Sequence, residues 1–163
     1  MKTLILMRHG KSSWEHPLSD RERPLVRRGL EDAEKVATSF AEQPHAIDAV
    51  YSSPAERASM TCAVFTSVIN FPLEKVVYEE RLYDFSGNSV AEVVQNLDDS
   101  LDTVMLFGHN YALTNLANSW GDRSIENVPT AGLVVISLLS DSWKGISRGG
   151  QTKLFIQPKH ISI

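Results

Sequence analysis

Three short runs in this sequence carry residue types able to handle a phosphoryl group. They are Arg8-His9-Gly10, Ser52-Ser53-Pro54 followed by Arg57, and Gly108-His109-Asn110. A neutral imidazole can attack phosphorus, and a guanidinium can grip two phosphate oxygens at once. Taken singly, each residue has an ordinary explanation: a hydrogen-bonded core histidine, a solvated arginine, an asparagine capping a helix. Their placement gives them weight, because each run follows a segment with the pattern of a strand.

Thr3-Leu4-Ile5-Leu6-Met7 and Thr103-Val104-Met105-Leu106-Phe107 are unbroken apolar runs, as expected of strands covered on both faces. Asp48-Ala49-Val50-Tyr51 reads as a shorter strand between them. In a parallel sheet the C-terminal strand ends share one edge, and ligands collect in the crevice outside it. Residues about 50 positions apart then meet, so two histidines and two arginines face one small volume. Helix N-termini near Ser53 and Asn110 add backbone N–H donors and positive dipole ends, which favour an anion.

The remaining pattern supplies the scaffold. Ala33, Val36, Ala37 and Phe40 recur at helical spacing, which predicts a helix over 28–42. In Ser53-Pro54-Ala55-Glu56, Ser53 suits a cap, Pro54 a first turn and Glu56 a capping box, so a helix is expected from there to Ile69. A short third strand is expected within 72–78, a helix over 89–97, and another from Asn110 through Trp120. Leu133 to Leu139 and Lys153 to Ile156 read as two strands joined by a loose, glycine-containing connection. Strands alternating with helices predict one domain over 1–163, an α/β fold. The expected architecture is a three-layer α/β/α sandwich whose mostly parallel sheet carries an antiparallel edge strand near the C-terminus.

Composition narrows the function classes. The 163 residues are 42% hydrophobic and 22% charged, with a net charge of −4, which argues against a broad nucleic-acid surface. An anion site must therefore be a local basic pocket in an acidic protein. The single cysteine, Cys62, permits no internal disulfide and fits a buried apolar role in a reducing compartment. Arg8 and His9 interrupt the only early apolar run, so no signal peptide is expected. No run reaches the roughly 20 apolar residues of a membrane span. These readings predict a cytoplasmic protein without membrane or nucleic-acid partners. No Asp/His cluster has metal-ligand spacing, and neither metal nor cofactor is expected.

Arg8-His9-Gly10, Ser53-Pro54-x-x-Arg57-Ala58 with Thr61, and Gly108-His109 together resemble the histidine phosphatase superfamily, which includes phosphoglycerate mutases and histidine acid phosphatases. The short length, and Leu25-x-x-x-Gly29 before the first predicted helix, are most similar to the SixA-type phosphohistidine phosphatase branch. The resemblance spans essentially the whole chain. It implies that His9 is the nucleophile, forming a transient phosphohistidine that water hydrolyses. The attacking nitrogen must be free, so the other ring nitrogen is expected to donate to a nearby backbone carbonyl. The resemblance further implies that Arg8, Arg57 and His109 hold the equatorial oxygens of a loose, metaphosphate-like group. Many members use a carboxylic acid to protonate the leaving group. Glu79, Glu80 and Asp84 are the candidates here, with Glu80 favoured because it directly precedes Arg81-Leu82.

Two departures from the family pattern bear on substrate. Mutase-type relatives carry an Asn shortly after the first triplet, whereas Lys11-Ser12-Ser13-Trp14-Glu15 has none, leaving Ser12 or Ser13 to bind phosphate in its place. Long pocket-covering insertions are also absent, so a short lid over 11–24 and a shallow site are expected. An open, wet site suits a side chain displayed on a protein and favours hydrolysis over phosphoryl return. The expected partner is thus a phosphohistidine-bearing protein. The alternatives are a small phosphorylated metabolite on the same site, or a non-catalytic phosphate-binding module.

Overall fold

The computed structural model describes residues 1–15, 17–43, 45–146 and 148–161. Its elements, in chain order, are strand β1 (Lys2–Arg8), helix α1 (Arg27–Ala41), strand β2 (Ala49–Ser52), helix α2 (Glu56–Ile69) and strand β3 (Val77–Tyr78). Helix α3 (Asn88–Gln95), strand β4 (Thr103–Gly108), helix α4 (Ala112–Trp120) and strands β5 (Leu133–Leu138) and β6 (Gln151–Ile156) follow. The six strands form one sheet in the order β3-β2-β4-β1-β5-β6. β1, β2, β3 and β4 are parallel, whereas β5 runs antiparallel to both β1 and β6. The antiparallel strand near the C-terminal edge is therefore β5, paired with β1 on one side and with the edge strand β6 on the other.

Alternation along the central strands builds the layers, because successive side chains point to opposite faces. Leu4, Leu6, Val104, Leu106, Val134 and Ile136 pack under α3 and α4 with Val90, Val93, Val94, Leu113 and Trp120. Ile5, Met7, Met105, Phe107, Leu133 and Val135 pack under α1 and α2 with Val36, Phe40, Cys62 and Phe65. The result is the three-layer α/β/α sandwich. The connection between β5 and β6 is more than a loose loop. Trp143 within it is fully buried, and its indole N–H donates to Leu101 O at 2.8 Å.

Strand order brings the chemistry together. β4 lies between β2 and β1, with Arg8 opposite Gly108 and Ser52 opposite Phe107. The ladder then continues one step past the strands: His9 N–H donates to Gly108 O at 3.1 Å, and Ser53 N–H to Phe107 O at 2.9 Å. The three expected strand ends are thus immediate neighbours on one edge.

The short strand expected within 72–78 is Val77–Tyr78, preceded by a 3-10 turn over Leu73–Lys75. Helix α2 begins at Glu56 rather than around Ser53, and no side chain caps its first turn. The Ser53 hydroxyl lies against His109 Nε2 at 2.8 Å and accepts from Ala55 N–H at 3.3 Å.

Candidate active site

Arg8 and His9 leave the end of β1 through a tight crossing of two backbones. A Cβ on Gly10 would stand 2.6 Å from Gly29 O, and one on Gly29 would stand 2.3 Å from Lys11 O. Only glycine at both positions lets the first turn of α1 press against the loop carrying His9. From the other side, Gly10 N–H donates to Thr61 Oγ1 at 2.9 Å, and Thr61 Oγ1 donates to Arg57 O at 2.7 Å. The loop carrying His9 and the arginine of α2 are therefore positioned through one buried hydroxyl.

His9, 7% exposed, has Nδ1 2.7 Å from Gly10 O, and Arg57 Nε donates to its Nε2 at 3.4 Å. A carbonyl only accepts, so Nδ1 carries the proton and the Nε2 lone pair remains outward. Burial, followed by the charges of Arg57, Arg8 and Arg23, lowers the imidazole pKa to about 4. At neutral pH the ring is thus uncharged. The His109 ring centroid lies 5.2 Å from that of His9. His109 is fully buried, with Nε2 2.8 Å from Ser53 Oγ and Nδ1 3.4 Å from Arg57 Nη2. Burial and the neighbouring His9 and Arg57 lower its pKa to about 3.

These groups line a cleft of about 320 Å³ with Arg8, Lys11, Ser12, Trp14, Asp20 and Arg23. The sequence reading missed Asp20 and Arg23. Asp20 sits in a 3-10 turn, Asp20–Glu22, between β1 and α1, and its carboxylate ties the cleft together. It accepts from Arg57 Nη2 at 2.9 Å, from Arg23 Nη2 at 3.1 Å and from the Tyr83 hydroxyl. Burial works to raise its pKa, but hydrogen bonds from Tyr83, Arg57 and Arg23 outweigh burial and hold it well below the usual carboxylate range. Arg23, 6% exposed, donates to Ser12 Oγ at 2.7 Å and stacks 3.5 Å from the centroid of the Trp14 ring. The available signal was an aspartate and an arginine at i,i+3 just ahead of Pro24 and Leu25-x-x-x-Gly29.

Of the residues expected from sequence, the structure brings Arg8, His9, Ser12, Arg57 and His109 to the cleft. Ser12 stands where the missing Asn was expected, but its hydroxyl is engaged by Arg23. The structure does not bring Glu80 to the cleft lining: its carboxylate forms a two-pronged ion pair with Arg21, which lowers its pKa. Glu79 pairs with Arg81 at 2.9 Å, and Asp84 accepts the N–H groups of Ser86, Gly87, Ser89 and Val90 at the start of α3. Those carboxylates are occupied by local structure, which residue spacing alone did not show.

Residues 4–102 match the family described as the histidine phosphatase superfamily, branch 1. The chain belongs to this superfamily. It is 29% identical over 153 residues to an uncharacterized protein of Mycobacterium tuberculosis H37Rv, covering 88% of this chain and 93% of that one. An uncharacterized chloroplastic protein of Arabidopsis thaliana is 28% identical over 152 residues, covering 88% of this chain and 69% of its own. Among solved structures, the protein histidine phosphatase SixA in complex with tungstate superposes with a TM-score of 0.80 at 20% identity. That superposition covers 96% of this chain and 97% of the SixA chain. A protein of Agrobacterium tumefaciens carrying the SixA name gives 0.79 at 23% identity, with 96% and 98% covered. At these identities the structural likeness establishes the fold, which is the phosphoglycerate mutase-like fold of the SixA proteins.

Proposed function

We propose that this protein is a metal-independent phosphatase acting through a covalent phosphohistidine on His9, with protein phosphohistidine as its substrate class. The observation that carries this reading is the fixed tautomer of His9: with Nδ1–H on Gly10 O, the Nε2 lone pair is held among Arg57, His109 and Arg8. In the first step Nε2 uses that pair to bond phosphorus, and the bond from phosphorus to the leaving atom breaks with its electrons on the leaving group. In the second, water attacks phosphorus, the P–N bond breaks and returns its electrons to Nε2, and inorganic phosphate departs. Arg8, Arg57 and His109 stabilise the oxygens, and guanidinium donors supply the charge that a metal supplies in other phosphoryl-transfer sites. The SixA protein of the same fold forms a complex with tungstate, an oxyanion shaped like phosphate, which supports an oxyanion-binding reading here.

The carboxylates argue for the substrate class. Glu79, Glu80 and Asp84 are tied up outside the cleft, and Asp20 is held ionised by its three donors. Without a carboxylic acid to hand, an alkoxide leaves poorly, whereas an imidazole leaving a phosphoramidate needs less help. Phosphate release should therefore be faster from a phosphohistidine peptide than from an alkyl phosphate, in excess EDTA, and absent in His9→Ala. Preference for the alkyl phosphate would favour the metabolite alternative. Phosphate binding with no turnover of any phosphorylated substrate would favour the binding module.

A further inference from the structure

Arg57 has two unlike edges. On one, Nη1 donates to Asp20 O at 2.5 Å and Nη2 to Asp20 Oδ2 at 2.9 Å. On the other, Nε reaches His9 Nε2 and Nη2 reaches His109 Nδ1, each at 3.4 Å. Contacts at 2.5–2.9 Å are well-formed hydrogen bonds to an anionic residue, whereas 3.4 Å is beyond the usual range for an N–H donor. The long contacts are the ones that must give way, since the attacking lone pair of His9 cannot both accept from Arg57 and bond phosphorus. A phosphoryl group entering between Arg57 and the two histidines takes up the long edge and leaves the short edge intact.

We propose that Asp20 is a positioning residue: its carboxylate and carbonyl anchor the outer edge of Arg57 so that the inner edge is aimed at the phosphoryl group. The assignment rests on the phosphatase reading and adds to it a residue that never touches phosphorus. The anchor is itself held. Tyr83 donates to the same Oδ2, Arg23 donates to Oδ1, and Arg21 beside it is paired with Glu80. Glu80 thus acts, through Arg21, on the turn that carries Asp20. Asp20 also offsets the guanidinium charges of Arg57 and Arg23, both of which donate to its carboxylate. Because it adds negative charge beside an anion site, it works against phosphate binding while favouring turnover. That opposition separates its role from one of simple scaffolding.

The test compares wild type with Asp20→Ala on an aryl phosphate, reading kcat, KM and competitive inhibition by inorganic phosphate. The anchor predicts that kcat falls about 10- to 100-fold, the scale of a displaced positioning group. Inorganic phosphate should meanwhile inhibit as well as or better than in wild type. An unchanged or raised kcat overturns the assignment, the raised value showing that Asp20 merely blocks the site. A matching loss of phosphate affinity also overturns it, because that would mean a general collapse of the cleft. If Asp20→Ala does not fold, Asp20→Asn and Tyr83→Phe decide: kcat reduced at undiminished phosphate affinity supports the anchor, and kcat unchanged in both refutes it. Absence of turnover by wild type would reject the phosphatase reading itself, a result distinct from equal turnover by wild type and variant.

Discussion

Replacing Arg57 probes the cleft most sharply. The side chain is 2% exposed, and its Nε and Nη2 are the two donors facing His9 and His109. Losing one preorganised donor to a developing oxyanion typically costs about 10²- to 10³-fold in kcat, or roughly 3–4 kcal/mol. Arg57→Ala removes two, and donors acting on the same group are not additive, so the expected loss is about 10³-fold rather than the product. Arg57→Lys keeps the charge but presents a point where the structure needs a fork. One ammonium cannot both rest on Asp20 and face the two histidines, so Lys should recover about tenfold of the loss. The assay is steady-state phosphate release from an aryl phosphate, with circular dichroism and thermal melting to confirm folding. The ion pair to Asp20 is lost in Arg57→Ala, and some fall in melting temperature accompanies the kinetic effect. A folded Arg57→Ala protein within tenfold of wild-type kcat would refute the phosphoryl-binding role. Full activity in Arg57→Lys would refute the two-edged geometry.

Other outcomes follow from single contacts. Because His9 and His109 titrate near 4 and 3 in the fold against an ordinary 6.5, the unfolded chain binds protons more tightly. Their stabilising effect is therefore complete above pH 6.5 and is lost as pH falls through the folded values, at up to about 1.4 kcal/mol per pH unit for each ring. Melting temperature should drop between pH 7 and pH 4, less steeply in His9→Asn; identical slopes would contradict the buried neutral His9. On the same basis kcat/KM should hold at pH 5.5 and fall by half near pH 4, and an acid limb at pH 6.5 would count against it. Gly29→Ala drives a Cβ into the Lys11 backbone, at 2.3 Å from its oxygen, and should destabilise by about 1–3 kcal/mol or more. Gly145→Ala, with nothing among the described residues within 4 Å of the added carbon, should melt like wild type, and equal melting of both variants would dismiss the backbone crossing. Glu80→Gln should slow alkyl and aryl phosphates by the same small factor, since the carboxylate sits on Arg21; a loss growing with leaving-group pKa would restore it as the acid.

The sheet was legible because its central strands are unbroken apolar runs, and a strand covered on both faces has little else to be. That legibility carried over to Arg8, His9 and His109 at the strand ends and to Arg57 in the first turn of α2, since strand order sets which strand-to-helix junctions are neighbours. Asp20 and Arg23 were not legible in the same way. They lie in a polar loop without periodicity, and what places them is a set of hydrogen bonds to Arg57, Tyr83 and Ser12, distant in sequence. Glu80 shows the complementary limit. Its position in the chain suited an acid near the cleft, whereas in the structure its carboxylate pairs with Arg21, 59 residues away. Ser53 has the spacing of a helix cap, yet its hydroxyl bonds the buried His109 imidazole as well as the Ala55 N–H just ahead of α2, a partner that spacing alone does not show.

The central claim is a phosphoryl group on His9 Nε2. Rapid quench of the enzyme with a phosphohistidine peptide or an aryl phosphate, in excess EDTA, followed by peptide mass spectrometry at alkaline pH, tests it directly. The account predicts one added phosphoryl group on the peptide containing His9, labile to acid, formed and lost at rates consistent with kcat and absent from His9→Ala. Phosphate release by wild type with no modified peptide at any quench time, or release retained by His9→Ala, would contradict it.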